Sequence, residues 1–74
     1  MKLFLVIYLH SAVGATFGPL PYDMIECQRR KADLLAHLDE AYASGRVREG
    51  TRRSDWAAEC LILDSAPGLG EPRP

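Results

Sequence analysis

The first fifteen residues, MKLFLVIYLHSAVGA, constrain this chain more than any other stretch. They admit two incompatible readings. As a secretory leader they offer Lys2, an apolar run from Leu3 to Leu9, and the small residues Val13 and Ala15 before a cleavage point. As structure they are the longest strand of a very small fold. A leader's apolar stretch runs about 7–15 residues, and this one sits at the lower limit, broken by His10 and Ser11. Phe4, Val6, Ile7 and Tyr8 are β-branched or aromatic, which suits a pleated surface. A membrane-spanning helix needs about 20 apolar residues, so the run does not predict one. Composition and length both favour the strand.

A chain of 74 residues makes one domain. A hydrophobic content of 47% supports a core and is too high for a disordered chain. A core this small leans on a staple or on self-association. The net charge of −1 favours neither nucleic acid nor a basic partner.

Residues 2–10 are apolar at both alternating sets, Leu3/Leu5/Ile7/Leu9 and Phe4/Val6/Tyr8, as in a strand covered on both sides. Gly14, Gly18 and Pro19 predict a turn within residues 11–19 and a short returning strand around Ala15–Gly18. Pro19 and Pro21 then halt the extended chain. Asp23 as N-cap with Glu26 three residues on is an acidic variant of the capping box. Met24, Cys27, Leu34, Leu35, Leu38, Ala41 and Tyr42 fall on one helical stripe. Ser44 and Gly45 end the helix. After a polar loop at residues 46–55, the last strand, 56–64, turns Trp56, Ala58, Cys60 and Ile62 one way and Leu61 and Leu63 the other.

The fold class is therefore α+β. A ββαβ domain over residues 1–64 has a three-stranded sheet in the order 2-1-3, covered on one face by a single helix. Residues 65–74, with three prolines and two glycines, predict a disordered tail. The second sheet face is then open apolar surface, a site for a partner or for a homodimer.

Cys27 on the inward helix face and Cys60 on the last strand fall within reach of a disulfide. In an exported protein the bond closes a loop worth on the order of 3–4 kcal/mol. In the cytoplasm the two are buried thiols. His37 lies on the helix face opposite Cys27, which argues against a catalytic cysteine–histidine pair. His10 and His37 are read as solvated, and the Cys and His spacings are not those of a zinc site. No metal and no cofactor is expected. Arg46, Arg48, Arg52 and Arg53, with Arg29 and Arg30 near the other end of the helix, suit phosphate or protein contact. Glu49 and Asp55 interrupt the run and no aromatic platform accompanies it, so a solvated loop or a protein interface fits better than nucleic acid. Trp56 joins that loop as an interface anchor.

The order of features resembles a class of tiny αβ proteins of phage and prophage genomes, which includes anti-CRISPR inhibitors. Those features are the apolar first strand, Gly18-Pro19, a helix opening through Asp23, Glu26 and Cys27, and a last strand with Cys60. The resemblance spans roughly residues 3–63 and implies a stoichiometric, protein-binding inhibitor without a cofactor. It carries over no site residue. The near-neutral charge departs from the acidic, DNA-mimicking inhibitors.

The expected function is thus a non-enzymatic, cytoplasmic inhibitor that docks on a larger protein or ribonucleoprotein complex of a bacterial host. Its contacts are Arg29, Arg30, Asp33, Arg46, Arg48, Arg52, Arg53 and Trp56. The alternatives are an exported protein cleaved after Ala15 with a Cys27–Cys60 bond, and a weak nucleic-acid binder using the arginine loop. No membrane association is expected.

Overall fold

The computed structural model describes residues 1–47 and 49–73. Strands β1 (Lys2–Leu9) and β2 (Ala12–Phe17) precede helix α1 (Met24–Ala43), a single 3₁₀ turn (Arg53–Asp55) and strand β3 (Trp56–Leu63). The sheet has the order β2-β1-β3, and β1 runs antiparallel to both neighbours. This is the α+β architecture expected, with the N-terminal strand at its centre.

The β1–β2 turn is tighter than the glycine pattern suggested. It consists of His10 and Ser11 alone, at φ 52° and 63°, with Leu9 facing Ala12. Two-residue hairpins favour such mirror-image turns because they match the strand twist, and they normally recruit Asn-Gly. Each left-handed non-glycine residue costs roughly 1–2 kcal/mol. Here the turn is held from outside. The His10 N–H donates to the Asp55 carbonyl at 2.9 Å, and His10 Nε2 lies 3.1 Å from the Asp55 carboxylate. Gly14, expected at the turn, is instead the extra residue of a bulge: Ile7 faces Ala15, whereas Tyr8 faces Val13.

Gly18 ends the hairpin at φ 142°, next to a cis Gly18–Pro19 peptide. A Cβ there would stand 2.7 Å from Cδ1 of Phe4 and 2.9 Å from the Leu3 carbonyl oxygen. The chain then enters α1 as its sequence dictates. The Glu26 N–H donates to Asp23 Oδ1 at 2.9 Å, while the Glu26 carboxylate turns to arginines rather than closing a capping box. At the far end Arg46 N–H bonds the Ala41 carbonyl and Gly45 N–H the Tyr42 carbonyl, with Gly45 at φ 75°. That is the Schellman arrangement, which satisfies carbonyls the helix leaves free.

β1 divides two cores. On the helix side Leu5, Cys27, Ala58 and Cys60 are buried, with Leu3, Ile7, Leu20, Tyr22, Met24, Leu34 and Leu35 against them. On the other side Phe4, Val6, Tyr8 and Val13 are buried, with Ala57, Leu61 and Leu63.

The second face is therefore not open. Residues after β3, expected to be disordered, cross to β2 and run along its outer edge. Gly70 N–H donates to Val13 O at 2.7 Å, Val13 N–H to Glu71 O at 2.8 Å, and Arg73 N–H to Ser11 O at 2.7 Å. Pro72 bridges to Ala12. Paired backbone, and not side-chain hydrophobicity, brings this polar segment down. With Val6 and Tyr8 at 0% and 1% exposure within one chain, the basis for a homodimer through this face is gone.

Gly18→Ala should destabilise the fold by about 1–3 kcal/mol through overpacking and a disfavoured φ. Urea denaturation checks this, and Gly45→Ala, where a Cβ meets nothing, should cost less.

Candidate functional site

The sheet and helix do not close on each other along their whole length. α1 leans over β3, and the outer strand β2 extends beyond it. Phe17 faces Leu5, and Ala15 faces Ile7, so both point to the helix side of the sheet. An open groove of about 430 Å³ results, floored by Leu5, Ile7 and Phe17 and walled by Tyr22 and Leu34. Arg30, Asp33 and His37 stand on its helix lip. Phe17 is 52% exposed. Sequence reasoning placed Phe17 on the returning strand but assigned it no role. Its position at the strand end beside Gly18-Pro19 was the signal.

A second cavity, about 500 Å³, opens at the C-terminal end of α1 between Leu9, Leu38, Ala41, Tyr42, Val47 and Trp56. His10, Arg46 and Glu49 border it. Trp56 is half-buried there, and its indole N–H donates to the Tyr42 hydroxyl at 2.6 Å. That hydroxyl in turn donates to Thr51 Oγ1 at 2.8 Å. The chain of bonds fastens the last turn of α1 to the start of β3. Trp56 is thus mainly a structural side chain whose polar edge is already engaged.

The arginines form two groups, at opposite ends of the helix. Along the helix from Arg29 to its last residue, Ala43, the axis runs roughly 21 Å at about 1.5 Å per residue. At the near end, Glu26 accepts from Arg29 Nη2 and from Arg30 Nε at 2.8 Å. Arg29 also reaches Asp33 at 3.5 Å. The Arg30 guanidinium lies 4.3 Å from the Tyr22 ring centre, which fixes it at the groove mouth. At the far end Arg46 bonds Ser44 Oγ at 2.9 Å and lies 3.7 Å from Glu40. Arg53 bonds Asp39 Oδ1 at 2.6 Å and the Trp56 carbonyl at 3.3 Å. Arg52 contributes its backbone N–H to Asp55 Oδ2 at 2.8 Å. Arg48 lies outside the described residues. Arg29, Arg30, Arg46 and Arg53 thus each have a helix carboxylate as counter-charge, a poor arrangement for gripping a phosphate backbone. Of the expected contacts, Arg30 and Asp33 line the Phe17 groove, with Arg29 beside them through Glu26 and Asp33, while Arg46 and Trp56 line the cavity at the far end of α1.

Hydrogen bonds from Arg29 and then Arg30 hold the Glu26 carboxyl down at about 2, and Glu26 in turn raises Arg29. Asp55 is also lowered, first by the Arg52 N–H and, against opposing desolvation, by His10. Tyr8 is raised by burial and then by Glu59, while Arg73 draws it down. His37 Nδ1 donates to the Asp33 carbonyl at 2.8 Å. Among the described residues no three His, Cys, Asp or Glu side chains could hold a metal ion, and no helix is long and apolar enough to cross a membrane.

Cys27 and Cys60 are bonded, with Cα atoms 6.2 Å apart and a sequence separation of 33. Cys27 is wholly buried, so the bond pins the first half of α1 to β3 beneath the groove wall.

Two outcomes follow from these interactions. Reducing the disulfide should lower stability by about 3–4 kcal/mol, the loop-closure value for this span, in guanidinium melts with and without reductant. A carboxyl lowered by folding stabilises above its unfolded pKa of about 4.3 and loses that contribution as pH falls toward its folded value. Glu26 should therefore weaken the fold between about pH 5 and 2, and Glu26→Gln should flatten that part of the pH–stability curve. Compared with protein-family models, curated proteins and solved structures, the chain matches none.

Proposed function

We propose that this chain is a small non-enzymatic binding domain that docks on a larger protein and inhibits it. The observation that carries the reading is the open groove between α1 and β2. It presents a half-exposed Phe17 on an apolar floor, rimmed by Arg30, Asp33 and His37. An aromatic anchor within a polar rim is the pattern of an interface hot spot. The pairing of Arg29, Arg30, Arg46 and Arg53 with helix carboxylates supports a protein partner over nucleic acid. The partner class, a larger protein or ribonucleoprotein complex of a bacterial host, comes from the architectural resemblance to anti-CRISPR-type phage inhibitors. A cytoplasmic site of action belongs to that reading.

The disulfide favours a second reading, in which the same domain works outside the cytoplasm, because such bonds persist mainly in oxidising compartments. In that reading the place of β1 at the centre of the sheet supports retention of residues 1–15. Cleavage after Ala15 would remove all of β1 and most of β2.

A photo-crosslinking side chain at position 17 should capture one host protein, and Phe17→Asp should weaken binding of that purified protein about thirtyfold, the ~2 kcal/mol of an anchor residue. Capture at the same yield from exposed Gln28, or unchanged binding by Phe17→Asp, would sink the groove as the docking site. Mass spectrometry with thiol trapping in the native host separates the two readings: free Cys27 and Cys60 exclude the exported form.

A further inference from the structure

The strap over residues 70–73 is seated as a ligand would be. It adds a short antiparallel strand to the β2 edge through three backbone hydrogen bonds to Ser11 and Val13. Its Arg73 side chain then reaches across the sheet. The guanidinium lies 5.1 Å from the Tyr8 ring centre and bonds Glu59 Oε1 at 2.8 Å. A cleft of about 360 Å³ remains between the strap and the apolar surface of Tyr8, Val13, Leu61 and Leu63. The connection runs over the surface: residues 64–66 and 68–70 are exposed, Leu69 to 75%, and it is tied mainly within itself, with the Gly68 N–H donating to Glu71 Oε2 at 2.7 Å.

Strand addition draws affinity from main-chain bonds and selectivity from pockets for side chains. Both are present here, with an aromatic face and a carboxylate arranged for one guanidinium. We propose that the β2 edge, with Tyr8 and Glu59, is an acceptor site for an extended, arginine-bearing segment of a partner protein. The chain's own residues 70–73 are its built-in competitor. The site lies on the sheet face opposite the Phe17 groove and does not depend on that groove's role. Strap and incoming segment compete for one edge, so the apparent affinity is scaled by the fraction of molecules whose strap is open.

The test uses the full chain and a fluorescent synthetic peptide with the sequence of residues 66–73, APGLGEPR. Gly70→Pro removes the Gly70 donor and cannot adopt its φ of 85°, so it releases the strap. The released variant should bind the peptide about tenfold or more tightly than the wild type, by removal of the competing closed state. Amide shifts should centre on Ser11, Val13 and Glu59. Replacing the peptide's arginine by alanine, or Glu59→Gln in the protein, should each weaken binding. Equal affinity of wild type and released variant, or indifference to the arginine, would overturn the proposal. So would a strap-exchanged dimer in sedimentation velocity without peptide binding, which would assign the edge to a second copy. Hydrogen exchange on the wild type provides a check independent of the variant's folding. The Val13 and Gly70 amides should exchange faster than those of Val6 and Tyr8. Equal protection would mean the strap opens only with global unfolding, and the edge is then no acceptor.

Discussion

Burial of β1 on both faces is the constraint from which the rest of the molecule follows. Phe4, Val6 and Tyr8 are almost wholly removed from solvent on one side, and Leu5 on the other. A strand of eight residues with apolar side chains in both directions needs a layer above and a layer below. One helix supplies the first. Among the described residues no second α-helix supplies the other, and a proline- and glycine-rich segment does so with backbone hydrogen bonds instead.

The helix-side layer needs reinforcement because a single helix covers a three-stranded sheet only partly. The Cys27–Cys60 bond fixes α1 over β3, and the Trp56–Tyr42–Thr51 chain fixes its far end. Fixing the helix over one outer strand leaves the other, β2, without a cover on that side. The groove at Phe17 is thus a geometric consequence of where the staple sits.

Local signals in the sequence carried most of the framework. The cap at Asp23, the stripe from Met24 to Tyr42 and the stop at Gly45 are all encoded within a few residues of where they act, and the apolar run of β1 announces the central strand. What was not legible depends on distant partners. Nothing around His10 and Ser11 marks a two-residue turn, because the support comes from Asp55, far along the chain. Residues 70–73 carry no strand pattern, since β2 supplies their bonds. The helical spacing four apart makes the Glu26–Arg30 and Arg29–Asp33 pairs legible, whereas the pairing of Arg53 with Asp39, 14 residues away, depends on how the loop packs on the helix. Phe17 was overlooked because exposure of an aromatic depends on where the helix lies, which residue spacing does not encode.

The bulge at Gly14 does more than bend a strand. Without an extra residue Val13, Ala15 and Phe17 would all project from the same face, as alternation requires. The inserted residue acts as a parity switch. It turns Val13 into the core beside Tyr8 while Ala15 and Phe17 stay on the helix side. One six-residue strand therefore serves two opposite surfaces, its first half beneath the strap and its second half along the groove. Loss of that one inserted residue would exchange the faces of one half of β2 only. The two surfaces thus share one backbone and meet at a single glycine.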